Sequence, residues 1–321
     1  MMLVSATSAL AYASVLYDKV DAIQQENILG GDSKGDNNVE GPLNLLMVGA
    51  DLRSDSKEPA RADTIMILHI DKNLKKANVM SIPRDLKVEI PDCGEYQNSP
   101  CSDKINAAYT FGGPKPTEGA KNLADTITHL TGIEFDGVAL VNFEGFLEVV
   151  ETFGGIELCL EDDLDSPHGG YYEQGCHRYN PDDALAIVRE RYAWGSDYGR
   201  QRMQQHFIKQ LLKEADAQGY VKNPTKIPSL IDQVGDKMIL DLGGTKPVDF
   251  AFALRGVEAG NIDMIKLPSE SVEIDGTSYV AISEGKLQQD AQSLFDAVKD
   301  DSLDTWTKEH PDYMNEDPKD E

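Results

Sequence analysis

Residues 44–85, NLLMVGADLRSDSKEPARADTIMILHIDKNLKKANVMSIPRD, decide the fold. Three short apolar runs, NLLMVGA, TIMILHI and NVMSI, have the length and the branched side chains of buried strands. A polar stretch of thirteen residues, 51–63, separates the first two, and the turn DKNLKK separates the last two. Parallel strands need a long crossover, so these connections predict strands running up, down and up. In that order Asp51, at the tip of the first strand, and Arg61 and Asp63, at the start of the second, share one edge of a sheet with Arg84, just past the third. Two carboxylates and two guanidiniums there would seat a divalent cation and a phosphate, since Mg²⁺ is held by one or two carboxylates plus substrate oxygens. A set of loop ion pairs is the competing reading. Delivery of charge to one edge by three separate segments favours the site.

The same need for an anion arises farther along. Four of the nine arginines, Arg189, Arg191, Arg200 and Arg202, fall in the segment VRERYAWGSDYGRQRMQQ, in a chain whose formal net charge is −26. Guanidinium forks match phosphate oxygens two at a time. Surface ion pairs with Glu190 and Asp197 are the alternative. Asp197 is expected to cap a helix reading GRQRMQQHFIKQLLKEA. At roughly 100° per residue, Arg200, Gln204, Phe207, Ile208 and Leu211 share one face, while Arg202, Gln205, Lys209 and Lys213 fall on the other, with Arg202 read as a solvated surface residue. Arg200 and Gln204 on an apolar face predict the mouth of a pocket, at a helix end that favours anions. Arg189 and Arg191, two apart after the helical PDDALAIV, would share a face if extended.

With a pI near 4.5 the chain lacks the broad basic surface that nucleic-acid binding requires, so no nucleic-acid partner is expected. Residues 3–17, LVSATSALAYASVLY, carry no charge but are shorter than the roughly 20 residues of a spanning helix. They are read as part of a transmembrane segment (residues 1–20), with a buried amphipathic helix as the alternative. Residues 21–41 follow as a flexible linker, of which GGDSKGDNNVEG is the tether. Cys93 and Cys101, and Cys159 and Cys176, have neither zinc nor redox spacing. Of the three possible connectivities the two local pairs are expected, because each closes a loop too polar to pack by itself. Disulfides beside a membrane segment predict an oxidising, extracytoplasmic location.

Lys104 and Asn106 in SDKINAAYTFGG could hold a phosphate or a sugar, or bond structurally. The histidines lack metal spacing, and no GxSxG, Walker A or GxGxxG motif occurs. The stripe Phe143, Phe146, Leu147, Val150 and Phe153 reads as core. Residues 222–300 offer no catalytic constellation, and the acidic tail 301–321 is expected to be disordered beyond Trp306.

In order, VGADLR, RADT, SIPRD, DKINAAY, VRER and DYGRQRMQQ resemble the motifs of the LytR-CpsA-Psr family over about residues 42–215, and the region to about 300 is compatible with the rest of that domain. The resemblance implies an α/β protein, a three-layer α/β/α fold with a central mixed, largely antiparallel sheet flanked by helices. It implies a single-pass membrane protein with its catalytic domain outside the cytoplasm, monomeric by preference. Such enzymes transfer a glycopolymer from a polyprenyl-pyrophosphate carrier to a peptidoglycan hydroxyl, with Mg²⁺ (or Mn²⁺) as cofactor. The implied metal ligands are Asp51 and Asp63. The implied pyrophosphate site is Arg61, Arg84, Arg189, Arg191, Arg200 and Gln204, to which the chain's own reading adds Lys104. Asp51, Asp63, Arg84 and Arg200 would carry the catalysis. The family often has a further arginine where Met203 stands, and helical phase keeps Arg202 from replacing it. Hydrolysis of the pyrophosphate, or binding of lipid-linked glycans without catalysis, are the alternatives.

Overall fold

The computed structural model describes residues 24–30, 39–50, 60–191, 194, 196–220, 238–316 and 318. Asp51 and residues 1–20 lie outside them. Seven strands form the central sheet: β1 (Gln24–Gln25), β2 (Leu43–Ala50), β3 (Ala62–Ile70), β4 (Ala77–Ser81), β5 (Gly137–Val141), β6 (Met238–Asp241) and β7 (Ile262–Lys266), in the order β1-β6-β5-β2-β3-β4-β7. The pairs β2·β3 and β3·β4 are antiparallel, as the short connections require. The sheet is mixed, but less antiparallel than expected: β5·β6 is antiparallel, whereas β1·β6, β2·β5 and β4·β7 are parallel. Those parallel partners arrive over long helical connections, which the three opening strands could not reveal.

Each strand alternates between two cores. Leu46 and Val48 of β2, with Ile65 and Ile67 of β3, face helices α1 (Ile105–Phe111), α2 (Pro116–Thr131), α7 (Lys286–Lys299) and α8 (Leu303–Glu309). Leu43 and Leu45, with Met66 and Ile70, face α5 (Asp197–Ala217) and α6 (Pro247–Ala253). The layers are therefore α/β/α. Beyond α5 a third cluster joins α3 (Phe143–Thr152), α4 (Pro181–Arg189) and the hairpin Ile156–Leu160/Gly175–Tyr179, with Met203 and Phe207 of α5 inserted in it. Val150 and Phe153 of the aromatic stripe are buried, and Phe146 stacks on Phe207 at 4.5 Å. Both local disulfides are present, Cys93 to Cys101 and Cys159 to Cys176, the latter across directly opposed strand residues.

Two boundary expectations change. Within the 21–41 linker, Ile28 is buried in the main core, and Asp241 Oδ2 accepts from the backbone N–H groups of Ile28 and Leu29 at 2.8 and 2.9 Å. Nor does order end at Trp306. Trp306 is 4% exposed, Tyr313 is buried, and Asn315 N–H donates to Met264 O at 2.8 Å. The acidic composition concealed a few large apolar anchors, each able to offset the ordering of several residues. Trp306→Ala should therefore cost about 3–5 kcal/mol in chemical denaturation. A disordered tail would leave the midpoint unchanged.

Candidate anion site at one edge of the sheet

β2, β4, β5 and β7 all end at the edge where β3 begins. There β3 carries an irregularity: Thr64 opposes Gly49 and Ala62 opposes Ala50, leaving Asp63 as the extra residue. A bulge re-aims one side chain while the chain on either side stays in the sheet. It explains how Ala62 joins the same core as Ile65 and Ile67 despite its odd spacing. The Asp63 carboxylate accepts from Arg84 Nη1, which comes from just beyond β4.

Helix α5 brings the third component. Ser196, not Asp197, is its cap, accepting from Gly199 N–H, and Asp197 stands in the first turn where a carboxylate complements the helix dipole. Trp194 packs so tightly on that turn that a Cβ at Gly199 would lie 2.4 Å from the Trp194 Cβ. Arg200 is 4% exposed, with Nη2 2.7 Å from Asp197 Oδ1. This contact lacks hydrogen-bond alignment: Asp197 Oδ1, Arg200 Nε and Arg84 Nε are buried without hydrogen-bond partners among the described residues. Burial pushes the Arg200 guanidinium below its ordinary value; Asp197 opposes the shift, Arg84 adds to it, Asp63 opposes it and Arg191 adds to it. Four charged residues thus act on the Arg200 guanidinium. Of the sequence candidates, the structure places Asp63 and Arg84 in contact and Arg191 within electrostatic reach of Arg200; Asp197, offered there only as a cap or a surface ion-pair partner, is the partner of the buried guanidinium.

The remaining candidates separate. Arg189 ends α4 rather than extending beyond it, and its guanidinium lies over the Phe143 ring, 4.4 Å from the centroid. Arg61 is exposed at the rim. Gln204 Nε2 donates to Val188 O at 3.4 Å, tying α5 to α4. Lys104 Nζ stands one step away, 2.9 Å from Asp85 Oδ1, while Asp85 Oδ2 is 3.8 Å from Arg84 Nε. Asn106 is buried, and its N–H donates to Arg84 O at 3.2 Å. Arg202 pairs with Glu161 through both terminal nitrogens, at 3.1 and 2.6 Å, away from the cluster. Gln205, on the face opposite Arg200, is fully buried because α5 is covered on two sides.

The segment after β7 contributes more than expected. Tyr198 OH and Ser269 Oγ are 2.9 Å apart, Lys266 Nζ lies 4.7 Å from the Tyr198 ring centroid, and burial pushes the Tyr198 phenol up. The only signal in the sequence was the polar run KLPSE ending an apolar strand. Among the described residues no group of three or more metal-ligating side chains occurs, and no helix is long and apolar enough to cross a membrane. Asp63 by itself fits a hard cation that takes its other oxygens from phosphate and water, because its side chain is 38% exposed.

A buried guanidinium beside a half-buried one, each with its Nε donor open, at an edge where several strands end, makes a candidate anion site on an α/β/α fold. The chain belongs to the LytR_cpsA_psr family, whose model matches residues 7–296. It is 29% identical over 311 residues to Cell wall biosynthesis protein LcpA of Corynebacterium glutamicum, a match spanning 86% of this chain and 59% of LcpA. With the polyisoprenyl-teichoic acid–peptidoglycan teichoic acid transferase TagU of Halalkalibacterium halodurans it shares 28% identity over 255 residues, 78% of each chain. The crystal structure of B. subtilis TagV shares the fold, with a TM-score of 0.66 and 23% identity over 82% of this chain and 99% of that one.

Hydrogen bonds to charged groups contribute about 1.5–3 kcal/mol, so Arg84→Ala should weaken inorganic pyrophosphate binding roughly ten- to a hundredfold in calorimetric titration. Arg202→Ala should leave it unchanged. Equal losses in the two variants would mean a diffuse basic surface rather than a sorted site.

Proposed function

We propose that this chain transfers a glycopolymer from a polyprenyl-pyrophosphate carrier to a peptidoglycan hydroxyl in cell-wall assembly, leaving a phosphodiester link. The observation that carries the reading is the buried Arg200 beside Arg84, Arg191 and Asp63, with the Nε donors of Arg84 and Arg200 unfilled. The substrate class comes from the TagU relative, whose name states that it transfers teichoic acid to peptidoglycan.

In this reading Arg84, Arg191 and Arg200 bind the pyrophosphate, with Arg61 at the rim. The attacking hydroxyl forms a bond to the phosphorus that bears the polymer, the bridging P–O bond breaks, and polyprenyl phosphate leaves with the electron pair. The hydroxyl proton passes to Asp63 at this edge, or to Asp51, which follows β2 in the chain. Mg²⁺ held by Asp63, with Asp51, would supply charge neutralisation on the phosphate oxygens. Fixed guanidiniums in a desolvated site stabilise developing charge without reorganising, the largest contribution expected in phosphoryl transfer.

Asp63 and Asp197 hold the guanidiniums in place before substrate arrives, so positioning is built into the folded chain. A single-pass membrane location with the domain outside the cytoplasm accords with two disulfides and no free cysteine among the described residues. The uncharged segment 3–17 would hold the chain at the surface from which a prenyl carrier is drawn.

The test is product analysis with a polyprenyl-pyrophosphate-linked saccharide, peptidoglycan and Mg²⁺. The expected product is saccharide joined to peptidoglycan through phosphate. Arg200→Lys, lacking the fork, should lower kcat about 10²–10³-fold, the loss typical of a single transition-state donor. Free phosphorylated saccharide as the sole product would establish a hydrolase. Ligand binding without turnover would establish a binding protein.

A further inference from the structure

Beside the phosphate site lies a cationic group that the transfer reaction leaves without a role. Lys87 and Lys104 sit directly opposite each other in the hairpin Lys87–Ile90/Cys101–Lys104. Like charges in that position destabilise a hairpin. Both ammonium groups also address one ring: Lys87 Nζ is 5.2 Å and Lys104 Nζ 5.4 Å from the centroid of Tyr279. The ring is supplied by a second hairpin, Glu270–Ile274/Thr277–Ala281, held in place by Val280 N–H donating to Asp85 O at 2.9 Å. In a chain with 56 acidic and 30 basic side chains, a carboxylate between two lysines would be the easy arrangement. Only Asp85 is present, on Lys104, and Lys87 has no ion-pair partner among the described residues.

We propose that Tyr279, Lys87 and Lys104 form a saccharide subsite for a sugar carrying an anionic substituent, carboxylate or phosphate, next to the reacting phosphate. This deepens the transferase reading and rests on it. The anion would lie between the two ammonium groups and relieve their repulsion, while the C–H face of the sugar packs on the half-buried ring; aromatic walls with a few placed charges are the usual make-up of a ligand site. Contact with the chemistry is direct. Asp85 joins Lys104 at 2.9 Å to Arg84 at 3.8 Å, so a sugar on Tyr279 is one residue from the phosphate held by Arg84. The patch therefore selects a glycan by its charge, where the arginines read only phosphate.

The intact protein is titrated by calorimetry with the peptide-free peptidoglycan disaccharide, whose muramyl lactyl group bears a free carboxylate, with N-acetylhexosamine 1-phosphate, and with neutral chitobiose. At least one anionic saccharide should bind about tenfold or more tighter than chitobiose, and which one binds identifies the acceptor or the donor as its source. Lys87→Ala and Tyr279→Ala should each weaken that binding about five- to tenfold, while Lys87→Arg and Tyr279→Phe stay within about twofold. In transfer assays the same alanine variants should raise KM for that glycan, with kcat and pyrophosphate affinity unchanged. Chitobiose binding as well as the anionic saccharides, no saccharide binding, or alanine variants identical to the unmodified protein would overturn the subsite. If no transfer is detected with the unmodified protein while the titrations behave as expected, the transferase reading fails and the subsite stands.

Discussion

Helix α5 is buried on two sides, and the rest of the site follows from that constraint. A helix between two cores can carry polar side chains only where partners wait for them, because an unmet buried donor costs about 1–3 kcal/mol. Gln205 meets that condition at the sheet. Its Nε2 donates to Val79 O, Ser81 Oγ and Ile265 O at 3.1, 2.9 and 2.9 Å, and its Oε1 accepts from Asn315 Nδ2 at 2.8 Å. This fixes both the rotation of α5 and its advance along the sheet. The first turn then falls at the strand edge, where Tyr198 meets Ser269 and Arg200 meets Asp197 and Arg84. The C-terminal segment completes the clamp through Asn315, which ties a stretch with a disordered composition to the placement of the phosphate donors.

The opening strands were legible because alternation and short connections are local. The edge that gathers Asp63 and Arg84 follows from them directly. Gln205 was not legible: helical phase places it opposite Arg200, and phase cannot say whether that side meets solvent or a second layer. Asp197 was read as the cap because either it or Ser196 could fill that position; its pairing with Arg200 is a local contact three residues apart, and phase alone does not show that the pair is buried. The bulge at Asp63 leaves no mark in the sequence beyond a carboxylate at a strand start. Arg189 and Arg202 show what clustering in sequence can and cannot tell. Helical phase already sent Arg202 away from the site, where it pairs with Glu161, whereas Arg189, expected at the phosphate, lies over Phe143, a residue distant along the chain.

Along this edge anions and cations alternate: Asp63, Arg84, Asp85 and Lys104, with Tyr279 and Lys87 at the far end. Such alternation lets a chain of net charge −26 keep guanidiniums fixed without a ligand. Each carboxylate occupies one side of its cation and leaves other donors open. The long-range repulsion that the acidic surface exerts on an anionic polymer is screened within about 8 Å at physiological salt, so capture depends on this local ladder.

Burial of Arg200 also explains the use of arginine here. Desolvation disfavours the charged form of any cation, and at Arg200 it is the largest influence, only partly opposed by Asp197 and reinforced by Arg84. A guanidinium starts so far above physiological pH that it keeps its charge through such a shift, whereas an ammonium in the same place titrates much closer to neutrality. Lys104 and Lys87 stand farther out, half-buried, where water and the Tyr279 ring support an ammonium. The sorting of arginine to the interior and lysine to the rim follows from the cost of removing each ion from water. It places the guanidiniums at the buried end of this edge and the ammonium groups at its rim, in keeping with the phosphate and glycan roles proposed for them.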